Sequence, residues 1–126
     1  ISGYIKQRNP INHPCVMFKK SSVELSGGYQ PCPYFEDYDL WVRMYRDQAV
    51  LANLPDTLLY MRVNGMHQRR GGVKYAKYIV AFRRKMYRSR IITFWEFFPM
   101  TAARVLVSLM PNGIRKYLYD KRLRKH

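Results

Sequence analysis

Three of the chain's eight acidic residues fall within four positions, Glu36-Asp37-Tyr38-Asp39. They follow a loop rich in glycine and proline that runs from Gly27-Gly28 through Pro31 and Pro33. A carboxylate held at a helix N-terminus behind such a loop can be firm enough to take a proton from a substrate hydroxyl, which is general-base chemistry. The plainer reading is that carboxylates in a first turn are stabilised by the positive end of the helix dipole. Spacing alone leaves both open. A zinc site is not expected, because three scattered histidines and two distant cysteines, Cys15 and Cys32, make no ligand cluster. His13, between Asn12 and Pro14, is either a cleft residue or a structural histidine.

The elements that must hold these residues follow from periodicity. Tyr38, Trp41, Val42 and Tyr45 recur at spacings of three and four, so a helix with one buried side runs from Glu36 to about Asp47. Ser21-Ser22-Val23-Glu24 has capping-box spacing and predicts a short helix that ends at Gly27-Gly28. The apolar run 15–18 reads as a buried strand, and runs 50–54 and 57–63 around Pro55-Asp56 read as a hairpin. In the second hairpin strand Leu58, Tyr60 and Arg62 share one face. A helix is expected over 73–88, with Tyr75, Ile79, Phe82 and Met86 as its seam and Lys74, Lys77, Arg84 and Arg88 mostly opposite. Another spans 94–110, with a narrow polar stripe of Thr101, Arg104 and Ser108 and with Pro99 starting or kinking it. A last, basic helix covers 114–125. The fold class expected is α/β, about three strands with two short helices followed by C-terminal helices.

Composition sets the limits on function. The chain has 126 residues, 23 basic against 8 acidic, and a formal charge of +15. With 48% hydrophobic and 15% aromatic residues it is too apolar to be a disordered basic tail. The charge is uneven: residues 1–64 carry seven basic and six acidic side chains, residues 65–126 sixteen and two. Such a field attracts polyanions, whether nucleic acid, anionic lipid or phosphorylated small molecules. The segment Ile91 to Met110 contains Glu96, Pro99 and Arg104, a poor spanning helix given about 3 kcal/mol per central charge. Lying flat on a bilayer suits it better, the apolar face sunk and the polar stripe wet. Arg115, Lys116, Lys121, Arg122, Arg124 and Lys125 could then meet anionic headgroups, at about 1 kcal/mol each. The alternative is that these helices pack on further chain or on another copy. A nucleic-acid-binding module is the rival from another class, suggested by tyrosines interleaved with Lys and Arg over 75–90, but no nucleic-acid motif appears and no specific nucleic-acid partner is expected. Cysteine usage fits a cytoplasmic chain with free thiols, and Ile1 is expected of a chain that begins within a longer protein.

Several pieces, taken in order, carry a resemblance. They are Asn9-Pro10-Ile11-Asn12-His13-Pro14, Val16-Met17-Phe18-Lys19-Lys20, Gly27-Gly28-Tyr29, and Phe35-Glu36-Asp37-Tyr38-Asp39-Leu40-Trp41-Val42-Arg43-Met44. Asn53-Leu54-Pro55, Leu59-Tyr60-Met61-Arg62-Val63 and Arg69-Arg70-Gly71-Gly72 continue it. Together they resemble the C-terminal, acceptor-side half of family 2 glycosyltransferases of the GT-A type, well over the first seventy-five residues and loosely beyond.

What the resemblance implies is specific. Asp37 would be the catalytic base of an inverting sugar transfer, and Glu36 would hold or orient the acceptor. Trp41 would offer an aromatic surface near the sugar or serve as core. Gly28 would allow close backbone approach or merely cap a helix. His13 and Arg62 fall with the substrate-binding set. His67, Arg69 and Arg70 sit where the family closes a loop over the donor diphosphate, a task that suits the arginine fork; a solvated basic loop is the alternative. The donor side, with a divalent metal (Mg or Mn) on Asp-x-Asp ligands, is implied for the full-length enzyme and absent from this chain. Residues 1–72 would then be the acceptor-side part of the catalytic domain and 73–126 a basic amphipathic helical extension. The implied partners are a nucleotide-sugar donor and a glycan or lipid-linked acceptor, with an anionic membrane surface and a homodimer through exposed surface as further expectations. The implied place is the cytoplasm, peripheral at the inner face of the membrane. Gln68-Arg69-Arg70-Gly71 does not match the processive members' Gln-x-x-Arg-Trp, which implies transfer of a single sugar, and without the donor and metal side this portion is not expected to turn over alone.

Overall fold

A computed structural model describes residues 1–60 and 70–123, the side chains of 119–123 excepted. Among the described residues the order is α1 (Ser2–Ile5), a 3-10 turn (His13–Cys15), α2 (Lys20–Leu25), α3 (Glu36–Arg46), α4 (Gly72–Arg88), α5 (Phe94–Leu109) and α6 (Asn112–Leu123). The α/β expectation is overturned, since the described residues form helices and no strand. A strand exists only through its neighbour's ladder, and among the described residues none lies against the apolar runs. Residues 15–18 are instead the end of the 3-10 turn and an extended stretch. Met17, Val50, Leu54, Leu58 and Tyr60 are exposed. The expected hairpin is likewise absent over 50–60, and 61–63 lie outside the described residues.

The helical readings fare better, and α3 and α4 build the core. Tyr38, Leu40, Trp41, Val42 and Met44 are buried on α3, and Tyr75, Ile79, Phe82 and Met86 on α4. Phe35, just ahead of α3, stacks on Phe82 with centroids 4.8 Å apart and planes 4° from parallel. Tyr38 packs on the same ring at 4.9 Å and donates its hydroxyl to the Ile5 carbonyl, pinning α1. Burial raises that phenol's pKa to about 12. The core therefore runs continuously across residue 72.

Two local expectations are corrected. The α2 helix starts two residues early, with Lys19 at its N-cap and no side-chain cap, so the Ser21–Glu24 box is not made. The true capping box is Thr93–Glu96 at α5, where the Thr93 hydroxyl accepts from the Glu96 N–H and the Glu96 carboxylate accepts from the Thr93 N–H. The larger correction concerns α5, in which Pro99 lies within the helix. Its polar stripe does not face water: Thr101 and Ser108 are its buried residues, and Arg104 reaches the Gln7 carbonyl. Their hydroxyls are satisfied within the helix itself, on the carbonyls of Phe97 and Val105. Arg115 is no headgroup contact either. It is buried, donating to the Ser108 carbonyl at 2.9 Å and to Asn112, and a Cβ at Gly71 would collide with its guanidinium.

Candidate functional site

The first turn of α3 holds Glu36, Asp37 and Asp39, and the helix separates them sharply. Asp39 turns inward. Its Oδ2 accepts from Arg43 Nε at 2.9 Å, and its Oδ1 is paired with Lys85 of α4 at 2.6 Å. Arg43, one turn along at the i,i+4 spacing, passes its other nitrogens to the carbonyls of Ser26 and Gly28. The turn it grips has φ +79° at Gly27 and +62° at Gly28, a left-handed pair that glycine adopts without strain. Gly28 thus works as a backbone anchor.

Asp37 points the other way and remains half-buried. Its Oδ2 accepts from Asn9 Nδ2 at 2.8 Å, and its Oδ1 from the Tyr38 N–H at 2.8 Å. Asn9 is itself oriented, its Oδ1 accepting from the Ile11 N–H at 3.3 Å. Each oxygen therefore has one donor and a lone-pair site to spare for a substrate hydroxyl. Partial burial, and then the Asp37 carboxylate, raise the Tyr29 phenol above its ordinary pKa.

Aromatic rings stand beside this carboxylate. Exposed His13 lies edge-on to Tyr29 at 5.7 Å and tilted to Trp41 at 6.2 Å, and Phe18 meets Trp41 at 6.2 Å. Trp41 is buried, with its indole Nε1–H without a partner among the described residues. It is the floor of the cluster and not an open stacking surface. Glu36 is exposed at the edge.

The structure thus brings Asp37, His13, Trp41 and Gly28 to one end of α3 and leaves Glu36 beside them. Arg70 is exposed next to the Gly71-Gly72 entry to α4. Arg62, His67 and Arg69 lie outside the described residues. Asn9 and Tyr29 were not singled out from sequence as site residues; Asn9 is 28 positions from its partner and no local period reveals that contact. The Asp39–Arg43 strut was legible in principle from its spacing. Asp37-Tyr38-Asp39 does not fit a metal, because Asp39 is neutralised by two cations on another side of the helix. Among the described residues no group of three His, Cys, Asp or Glu could hold one.

The chain is 35% identical over 126 residues to the UDP-Gal:alpha-D-GlcNAc-diphosphoundecaprenol beta-1,3-galactosyltransferase of Escherichia coli, covering 99% of this chain and 46% of that protein. It is 34% identical over 122 residues to the amylovoran biosynthesis glycosyltransferase AmsE of Erwinia amylovora, covering 96% of this chain and 46% of the relative. An uncharacterised glycosyltransferase of Haemophilus influenzae is 38% identical over 126 residues, again with 46% of its length covered. The chain is thus similar along its whole length to bacterial glycosyltransferases, and spans just under half the length of these curated relatives. No protein-family profile matches it. No solved structure matches it.

Proposed function

We propose that this chain is the acceptor-binding, catalytic-base portion of an inverting family 2 glycosyltransferase, with Asp37 as the base. The observation that carries the reading is the state of that carboxylate. It is oriented at both oxygens by Asn9 and the Tyr38 N–H, yet half open, while its neighbour Asp39 is consumed in a buried strut. Similarity to bacterial glycosyltransferases over the whole chain supports the class.

In this reading Asp37 removes the proton of an acceptor hydroxyl as its oxygen bonds to the anomeric carbon of the donor. The bond from that carbon to the nucleotide's diphosphate oxygen breaks on the opposite face, so configuration inverts. Glu36, His13 and Tyr29 border the acceptor; Arg43 holds the Gly28 turn that carries Tyr29. We place the nucleotide-sugar site, and the ligands of any donor-side divalent metal, in chain outside these residues. We take the acceptor to be a lipid-linked glycan, as the name of the Escherichia coli relative says of that protein.

The test uses the full-length enzyme that contains this segment. Asp37→Asn should lower kcat by about 10²–10⁴-fold while leaving donor KM unchanged. Turnover within a few-fold of the parent would overturn the assignment, and so would a matched loss of donor binding.

A further inference from the structure

The α5 helix packs Phe97 and Val105 on the core, yet leaves a second apolar face turned outward. Thr101 and Ser108 are turned inward, while Trp95 is 83% and Phe98 67% exposed. At about 100° per residue, Phe94, Trp95, Phe98, Ala102, Leu106 and Leu109 fall within an arc of roughly 120° that contains no charged side chain. The face is continuous with α4. Leu109 lines a groove of about 460 Å³ together with Val73, Val80, Lys77 and Arg84, and those two cations are exposed. Lys116 on α6 is exposed too.

Acidic side chains are scarce here. Within residues 70–118 the sole acid is Glu96, and it is engaged by the Thr93 N–H at 2.8 Å and by Lys6 at 3.1 Å. An aromatic and aliphatic face edged by unopposed cations matches one kind of occupant, an apolar interior beneath an anionic surface. A second copy would instead bring like charges together. Among the described residues no helix is long and apolar enough to cross a membrane.

We propose that the outward face of α5, edged by Lys77 and Arg84, docks flat on an anionic phospholipid surface. Trp95 and Phe98 enter the headgroup boundary while the cations meet lipid phosphates. The inference is separate from the Asp37 assignment and survives its failure.

The chain supplies its own reporter, because of its two tryptophans Trp41 is buried and Trp95 is open. Vesicles of brominated phosphatidylcholine mixed with phosphatidylglycerol should quench tryptophan emission, pure phosphatidylcholine vesicles should do so weakly, and salt should reverse it. In co-sedimentation, Trp95→Ser with Phe98→Ser should lower partition about tenfold or more, and Lys77→Glu with Arg84→Glu should abolish the preference for anionic lipid. Met17→Ser with Tyr60→Ser, two exposed apolar side chains outside α4 to α6, should change nothing. Equal binding to neutral vesicles would overturn the proposal, as would loss of binding in the Met17/Tyr60 pair. Shielding of Trp95 from acrylamide without lipid would also overturn it, through self-association if it grows with protein concentration, or through cover by further chain if seen in the full-length enzyme.

Discussion

The α3 and α5 helices are both amphipathic, but α3 buries its apolar face, whereas α5 packs Phe97 and Val105 on the core and leaves a second apolar face outward. The α3 helix sinks Tyr38, Leu40, Trp41 and Met44 into the core and ties its inner charge, Asp39, to Arg43 and Lys85. The α5 helix turns Thr101 and Ser108 inward and leaves Trp95, Phe98 and Leu106 in solvent. Amphipathicity says that a helix has an apolar face. It does not say what takes that face. In α3 the flanking charges close on one another and the helix becomes a rigid mount for Asp37. In α5 the surrounding cations stay open, and the face is left for a partner of opposite sign.

The sharpest way to break the α3 side of this contrast is at Asp39. Its carboxylate is ion-paired with the buried Arg43 guanidinium, so Asp39→Asn strands a cation in the interior and should cost about 3–5 kcal/mol. Arg43→Met should cost less, because Lys85 remains 2.6 Å from Asp39 and keeps that carboxylate paired. Urea midpoints of the two variants give the order directly. If Arg43→Met were the worse of the two, the Gly27-Gly28 turn, and not charge balance, would be the larger source of stability.

A smaller effect is expected where α5 begins. Thr93→Ala removes one half of the capping box and should cost about 1 kcal/mol. Its partner makes the effect pH-dependent. The Thr93 N–H, and then Lys6, hold the Glu96 carboxyl below its ordinary value of 4.5. A carboxyl depressed in the folded state contributes stability that is fully present above 4.5 and is lost as pH falls through the lower, folded value. Thermal scans from neutral to acid pH should show this loss in the parent and a smaller one in Glu96→Gln.

The same contrast shows which parts of the molecule were legible in the sequence. The seams of α3 and α4 were, because Tyr38, Trp41 and Val42, and then Tyr75, Ile79, Phe82 and Met86, recur at helical spacing and each seam has the other to meet. The irregular course of 15–18 and 50–60 was not, because apolar runs of that length read as strands yet form one only when a neighbour completes the ladder. The α1 helix, four residues long with no side-chain cap, leaves no local signal at all. Asp37 is singled out in the sequence only through the resemblance, and its orientation depends on Asn9, far away in sequence. The stripe on α5 was visible as a pattern, but its direction was set by Arg104 and Arg115, which reach carbonyls of Gln7 and Ser108 and pull the polar side inward. Arginine read only as a surface charge hides that role.

The least disruptive substitution is the most telling about α5. Trp95 is the larger of its open aromatic side chains, and in a helix that packed by its apolar face its loss would cost several kcal/mol. With the face in solvent, Trp95→Ser should shift stability by less than about 0.5 kcal/mol, the usual range for an exposed position. The comparison residue is Trp41, buried at 1% exposure, whose replacement by alanine should cost about 3–5 kcal/mol. Matched losses from the two tryptophans, measured on one chain by the same urea titration, would mean that α5 is already covered in solution and that its outward face is not free to dock.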